Sequence, residues 1–363
     1  MKIGNLLTVI AISSPFYAGA QFIPSWSSVP SGTTVDLNSV IVVRTGILAA
    51  FAAGDSGVII KGNNFNAWPR QPWSRLFTPT LSDLFAIDFL NENIGYAAGK
   101  SGIVIKTMDG GTSWTTRTIG SADVFAIQFL GTDTGWAVGS GGFVAKTTNG
   151  GTNWTRPNSG TTNDLHSVFF RNANSGFAVG NRGTILKSVD GGNSWSSQPS
   201  GTLQTLRSIS FSNYLWWALD DSCGWIAGDS GTILKSRNSG STWLPEVSGT
   251  IARLASVQIA DTITVNIVGE NIILSRYLSR WVTSYFQSPA IFNSISGSNL
   301  ETFAVGQGGK IVQAMYEGGI PPLRIPTKKT NAKPVDAKGR TIRRTLKVPV
   351  GIFSDLRTRE SRK

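Results

Sequence analysis

The sequence predicts an all-β fold built from seven copies of one unit. A short apolar run that ends in glycine recurs roughly every 40 residues, followed each time by a second glycine or a β-branched run, and in several copies by a tryptophan. These apolar runs are too short for helices, and turn residues separate them. Four short strands in a unit of this length are typical of a β-propeller. We therefore expect a seven-bladed β-propeller of four-stranded blades.

Seven marker glycines define the register of the units. Each one ends the second predicted strand, and in six of the seven units a basic residue follows seven positions later, on the third strand. The marker glycines are Gly54, Gly99, Gly139, Gly180, Gly228, Gly269 and Gly306. The lysines of the third strands are Lys61, Lys106, Lys146, Lys187 and Lys235. Two interpretations of this lysine ring remain: an anion-binding face, or stems that cover the tryptophans while the ammonium groups meet turn carboxylates.

The turn between the third and fourth strands is the most specific motif, as in Asp-Gly-Gly-Thr-Ser-Trp at residues 109–114. Its glycines permit positive φ, its Asp or Asn can accept N–H groups inside the turn, and its Trp can pack between neighbouring sheets. We interpret the motif as structural and not catalytic. Its members are Asp109, Asn149, Asp190 and Asn238, with Trp114, Trp154, Trp195 and Trp243.

The last unit lacks a tryptophan strand, and the start of the chain carries one. Residues 25–33 match residues 194–202 at all but one position, and Trp26 corresponds to Trp195 in this match. We therefore expect the N-terminal segment to supply the outermost strand of the last blade. Closing the ring in this way removes an open sheet edge.

The two ends of the chain are expected to lie outside the propeller, which should span 21–319. Residues 1–20 read as a secretory signal, with Lys2, an apolar run and the small residues before Gln21. We therefore expect the protein to be exported. Residues 320–363 carry most of the net charge of +12, including Arg343 and Arg344. This basic, flexible tail binds acidic partners or anionic lipid, serves as a sorting signal, or is a solvated end.

Several kinds of chemistry lack the residues they need. His166 is the single histidine and Cys223 the single cysteine. A multi-histidine metal site and an internal disulfide are thus excluded. We expect no metal and no cofactor, and we expect Cys223 to be buried. An insertion at 213–221 in the fifth unit holds Trp216 and Trp217, which either form a contact patch or pack on the next blade.

The Gly-Trp-Ala-Val-Gly, Asp-Gly-Gly-x-x-Trp and Ser-Gly-Thr series resembles the photosystem II assembly and stability factor-like repeats, within the Asp-box (BNR) propellers. The resemblance implies a non-catalytic scaffold that binds a protein partner through arginines at the start of first strands. Arg207 fits that position, whereas Phe85, Phe125 and His166 replace it in other copies. The alternative is a carbohydrate-binding or glycoside-hydrolysing, sialidase-like propeller.

These arguments give one set of candidate partner-binding residues. The partner is expected to be a protein, with an anionic partner or membrane surface reached through the tail, no nucleic acid, and a monomeric chain. The candidates are Arg207, His166, Trp216, Trp217, Arg343 and Arg344.

Overall fold

The repeats fold into seven antiparallel sheets, one for each unit. The structure, a computed structural model, describes residues 24–44, 48–63, 73–212, 223–259, 264–277, 280–285, 289–298 and 301–315. The first strand of each sheet contacts the first strands of its two neighbours, so these inner strands close a ring. The chain is a seven-bladed β-propeller, which confirms the prediction. All described residues belong to the first of two units, Met1–Gly319, and the predicted tail lies outside them.

The strands follow one another from the inner to the outer edge of each blade. The first strand of the chain, β1 (Ser25–Val29), belongs to the last blade. Blade 1 contains β2 (Leu37–Arg44), β3 (Leu48–Gly54), β4 (Ile59–Asn63) and β5 (Ser74–Leu76). Blade 2 contains β6 (Leu84–Phe89), β7 (Gly95–Gly99), β8 (Ile103–Thr107) and β9 (Thr115–Thr118). Blade 3 contains β10 (Val124–Leu130), β11 (Thr134–Gly139) and β12 (Val144–Thr147).

The second half of the propeller repeats this order. Blade 4 contains β13 (Leu165–Phe170), β14 (Gly176–Gly180), β15 (Ile185–Ser188) and β16 (Ser196–Gln198). Blade 5 contains β17 (Leu206–Phe211), β18 (Gly224–Gly228), β19 (Ile233–Ser236) and β20 (Leu244–Glu246). Blade 6 contains β21 (Leu254–Ile259), β22 (Thr264–Gly269), β23 (Ile272–Tyr277) and β24 (Arg280–Tyr285). Blade 7 contains β25 (Phe292–Ser298), β26 (Glu301–Gly306), β27 (Ile311–Met315) and β1.

The N-terminal strand closes the ring, as the match around Trp26 predicts. Strand β1 pairs antiparallel with β27, with Trp26 opposite Ala314. The Trp26 side chain packs against a buried cluster that includes Val268 and Ile273 of blade 6 and Phe292 of its own blade. The last blade therefore has four strands, and β27 has no free edge.

Blade 3 departs from the four-strand pattern. Its fourth segment makes one isolated bridge, in which Lys146 and Thr155 exchange N–H···O bonds of 2.9 and 2.8 Å. The next hydrogen-bonding position along that segment falls at Pro157, which has no N–H to donate. A single residue therefore ends the pairing.

The two faces of the propeller carry different loops. Inner strands begin at one face, which also carries the link from each blade to the next, and we call it the bulge face. The opposite face, the turn face, carries the turns between the first and second strands and the Asp-box turns between the third and fourth. On the bulge face, an added Cβ at Gly180 would lie 1.9 Å from the carbonyl oxygen of Asp164. An added Cβ at each of the other marker glycines would lie 1.8 to 2.3 Å from the carbonyl oxygen of the equivalent residue in its own blade. The φ angle is extended at every marker glycine for which it is recorded, so conformation does not require glycine there. Glycine is required because the neighbouring backbone leaves no room for a Cβ atom.

Aromatic side chains fill the space between blades. Between blades 2 and 3, the rings of Tyr96 and Phe129 stack with centroids 3.6 Å apart. Trp154 meets Phe129 edge-on at 6.0 Å and 87°. The Asp-box tryptophan therefore packs on the phenylalanine of its own inner strand, and that phenylalanine stacks on the preceding blade.

Two tryptophans that the repeat pattern missed occupy the same place. Trp73 of blade 1 meets Phe303 of blade 7 edge-on at 5.6 Å. Trp281 of blade 6 meets Trp225 of blade 5 edge-on at 5.7 Å. Their distance along the chain from the marker glycine differs from that in the other copies, which is why the pattern overlooked them.

Polar side chains of the inner strands bridge one blade to the next. An inner strand is the edge of its sheet, so its outward N–H groups need other acceptors. Serine hydroxyls supply them: Ser39 accepts the N–H of Ile87 at 3.3 Å, and Ser294 accepts that of Val40 at 3.2 Å. Ser167, Ser208 and Ser256 act in the same way.

Blades 2 and 3 have alanine at that serine position and use the side chain two residues later. Asp88 accepts the N–H of Phe129 at 2.7 Å. Gln128 accepts the N–H of Phe170 at 2.6 Å and donates to its carbonyl oxygen at 3.3 Å. Enclosure of the Asp88 carboxyl raises its pKa to about 6, although two backbone N–H bonds oppose the shift.

Candidate functional site

The inner strands place one ring of side chains around the propeller axis on the bulge face. Every inner strand has a β-bulge at the same position, between its first and third residues. A bulge adds a residue outside the ladder and turns its side chain. We call these seven residues the bulge ring: Asn38, Phe85, Phe125, His166, Arg207, Ala255 and Asn293.

Three neighbours in the bulge ring are aromatic, and we call them the aromatic arc. The rings of Phe85 and Phe125 lie 5.7 Å apart, and those of Phe125 and His166 lie 5.4 Å apart at 29°. All three side chains are partly exposed. The arc spans blades 2 to 4 and presents an apolar surface at the mouth of the ring.

His166 is held in a fixed orientation by a polar relay. Its Nε2 lies 2.8 Å from Oδ1 of Asn181, and Asn181 donates to Asp164 at 3.1 Å. Since the amide nitrogen of Asn181 faces the carboxylate, its Oδ1 accepts a hydrogen bond from the Nε2–H group of His166. Burial lowers the pKa of His166, with a smaller contribution of the same sign from Arg207, so the ring is neutral at pH 7.

The next two blades carry arginines. Arg207 forms a bidentate ion pair with Asp229, with N···O distances of 2.5 and 2.8 Å. Arg253 precedes β21 by one residue, where the first four blades have an aspartate before their inner strand. Burial lowers the pKa of Arg253, and the charge of Arg207 lowers it further.

Arg253 differs from Arg207 in lacking a partner. Its guanidinium makes no hydrogen bond or ion pair anywhere in the described part of the chain. Asp229 and Glu270 only offset its charge electrostatically. A partly buried guanidinium without acceptors is a site that favours an added anion. The repeat pattern does not single out Arg253 as a binding residue, and Arg253 does not stand at the position of Arg207. The sequence does show a basic residue where the first four blades have aspartate, and that difference could have indicated the site.

The Asp-box turns on the opposite face are hydrogen-bonded internally. Asp109 accepts from the Thr107 hydroxyl and the Ser113 N–H, both at 2.8 Å, and from the Ser113 hydroxyl at 2.6 Å. These bonds, those from Ser113 above all, lower the pKa of Asp109 to about 2. Asn149, Asp190 and Asn238 accept the equivalent N–H groups in their own turns. The carboxylates are engaged within the turn.

The lysine ring beside these turns is also engaged. The Nζ of Lys106 lies 5.4 Å from the centre of the Tyr96 ring and donates to the carbonyl oxygen of Gly150 at 2.9 Å. Lys61 makes the equivalent contacts with Phe51 and Gly110. The expectation that the ammonium groups meet turn carboxylates was wrong, because the carbonyl groups of the next blade's turn lie nearer.

Several predicted residues lie outside the described part of the chain: Trp216, Trp217, Arg343 and Arg344. Cys223, expected to be buried, is partly exposed; it lies immediately before the second strand of blade 5. Within the described ranges, no group of three His, Cys, Asp or Glu could hold a metal ion. In the same ranges, no helix has the length and apolarity needed to cross a membrane.

Comparisons with known proteins agree with this architecture. A family described as photosynthesis system II assembly factor YCF48 matches residues 65–161 and 157–248. None of the curated proteins matches the chain. The structure of YCF48 bound to D1 peptide superposes with a TM-score of 0.65 at 18% identity, covering 84% of this chain and 100% of that one.

Two further structures show the same fold. YCF48 from Cyanidioschyzon merolae superposes with a TM-score of 0.64 at 16% identity, covering 80% of this chain and 98% of that one. The WD40 β-propeller domain of Doa1 gives 0.64 at 11% identity, covering 81% and 98%. The structural likeness thus extends to a propeller of another family. This chain therefore belongs to the family described as photosynthesis system II assembly factor YCF48.

Proposed function

We propose that the chain is a non-catalytic, exported propeller that binds a protein partner at the bulge ring. The structural relative bound to a D1 peptide supports this proposal, since it shows a propeller of similar fold with a peptide ligand. The signal-like residues 1–20 support export. Closure of the last blade by β1 supports a monomer, because the sheet that would be left open is already paired.

The single observation that carries the proposal is Arg253. Holding a cation partly out of water, next to a second arginine, costs free energy unless an anion is bound. The charge of Arg207 is already matched by Asp229, so Arg253 is the group that a partner's carboxylate would satisfy. The bulge ring is therefore a receptor for a segment that carries at least one acidic residue.

A pair of substitutions tests this proposal. Peptides selected for binding to the full chain should bind Arg253→Gln at least about tenfold more weakly. Arg182→Gln is the matched control, because Arg182 is exposed on the same face and should leave affinity unchanged. Equal affinity for both variants would refute the proposed site. Turnover in a fluorogenic glycoside panel would refute the non-catalytic part and favour the carbohydrate-active alternative.

The basic tail is proposed to add affinity for acidic partners or anionic surfaces, through residues that include Arg343 and Arg344. Binding of the full chain to vesicles containing anionic lipid should weaken as salt rises. A chain ending at residue 319 should bind those vesicles no better than neutral ones. If both chains bind equally, the tail has no such role.

A further inference from the structure

The bulge ring is divided into two chemically different sectors. Blades 2 to 4 contribute the aromatic arc, and blade 5 contributes Arg207, with Arg253 of blade 6 beside it. His166 lies at the boundary between the two sectors, since it stacks on Phe125 and the charge of Arg207 contributes to lowering its pKa. At neutral pH it is uncharged, so it belongs to the apolar sector.

The rest of the bulge ring is already engaged. Asn38 donates to Asp55 at 2.8 Å and to the carbonyl oxygen of Leu84 at 3.0 Å. Asn293 donates to the carbonyl oxygen of Leu37 at 3.1 Å, and Ala255 is buried. What this face offers to a ligand is thus the apolar surface of the aromatic arc and, on the far side of the paired Arg207, the guanidinium of Arg253.

Hydroxyl-rich ligands fit this arrangement poorly. A sugar acid can stack the C–H face of its ring on the arc, but Phe85 and Phe125 provide no hydrogen-bond partners for its several hydroxyl groups. A peptide satisfies its polar groups differently, because only its side chains need enter the mouth. Aromatic rings bind apolar side chains well, and guanidinium groups bind carboxylates.

We propose that the bulge ring recognises a peptide segment in which an apolar side chain stands close to a carboxylate. The apolar side chain packs on Phe85 and Phe125, and the carboxylate pairs with Arg253. This inference rests on the proposed function and specifies the partner chemistry. It makes the aromatic arc the determinant of which acidic segments bind.

Four labelled peptides test the two sectors separately. They share a Gly/Ser background and carry, at two neighbouring positions, Phe-Asp, Phe-Asn, Ser-Asp or Ser-Asn. Fluorescence anisotropy with the full chain should rank the Phe-Asp peptide tightest, with each single replacement weakening binding by about tenfold. Oligogalacturonate should compete only weakly.

Variants assign each preference to its sector. Phe125→Ser should abolish the preference for Phe over Ser and keep that for Asp over Asn. Arg253→Gln should do the reverse. Phe77→Ser is the control, because Phe77 is 84% exposed in the link between blades 1 and 2. Phe85→Ser provides a second variant of the aromatic arc. Thermal unfolding of every variant shows whether it is folded.

The outcomes separate the two proposals. If Arg253→Gln weakens binding while Phe125→Ser and Phe85→Ser keep full preference for Phe, the peptide inference is wrong and the protein-binding proposal stands. If none of the three variants changes binding, both are wrong. Strong competition by oligogalacturonate would replace the peptide with a sugar acid as the ligand.

Discussion

Asp88 offers a quantitative test of how the blades are held together. Its carboxylate accepts the N–H of Phe129 across the interface between blades 2 and 3, and burial raises its pKa to about 6. The folded protein thus holds this proton more tightly than the unfolded chain does. The stabilisation by protonated Asp88 is complete below pH 3.8 and is lost as the pH rises through 6.

The magnitude follows from the two pKa values. A rise from 3.8 to about 6 corresponds to roughly 3 kcal/mol between the ionised and protonated forms. About half of this falls between pH 5 and pH 8, since the unfolded carboxyl is already mostly ionised at pH 5. Asp88→Asn keeps an acceptor for Phe129 but cannot ionise. Its stability relative to the natural protein should therefore grow by roughly 1.5 kcal/mol from pH 5 to pH 8.

Urea unfolding at several pH values measures this difference. The reciprocal variant is Gln128→Glu, because Gln128 holds the equivalent position in blade 3 and bonds Phe170. It should import the same dependence, losing stability as the pH rises. A difference between Asp88→Asn and the natural protein that stays constant from pH 5 to pH 8 would refute the reasoning.

Three further substitutions or titrations test other parts of the fold. Trp26→Ala should lower the free energy of unfolding by roughly 2–4 kcal/mol in urea titrations, since the side chain is partly buried between blades; a loss below about 0.5 kcal/mol would contradict its role in closure. Gly180→Ala should yield little folded protein by circular dichroism, because its Cβ would lie 1.9 Å from the Asp164 carbonyl oxygen; normal folding would show that the backbone can move apart. Asp109 should titrate by carbon NMR near pH 2, since its bonds with Ser113 favour the carboxylate; its stabilisation of the turn is present above the ordinary value of 3.8 and is lost as the pH falls through 2.

Substitutions at two matched positions serve as controls for the glycine and tryptophan variants. Gly131 has a positive φ of 78° with nothing within 4 Å of an added Cβ, so Gly131→Ala should cost only about 1 kcal/mol. Trp195 stands in the same place as Trp26 in blade 4, against Phe170 at 5.8 Å. Trp195→Ala should therefore cost a similar amount.

The blade count and the closure were predictable because they depend on residues that repeat. Trp26 was recognisable from its match to the segment around Trp195. The absence of a full fourth strand in blade 3 depends on Pro157 falling at a hydrogen-bonding position. That position is defined only by the register, and the register is known only from the folded sheet.

The candidate site was predicted in part. Arg207 and His166 were identified by their place in the repeat, but their division of the ring into two sectors depends on neighbours in other blades. The importance of Arg253 emerges from what surrounds it: Arg207 is already paired with Asp229, and among the described residues no hydrogen bond or ion pair engages the second guanidinium. Pairing between side chains from separate units cannot be read from the linear pattern.

The pairing of Ser25 with Met315 also sets the order of assembly. Strand β1 leaves the ribosome before the other strands of the propeller, yet its partner β27 is the last of them to be made. Every intermediate before that point has an unpaired outer edge on blade 7 and an unattached leading segment. Bringing such distant residues together carries a large entropic cost, so we expect this step to complete folding. A chain truncated before β27 would leave β1 without a partner and prone to pair with other molecules.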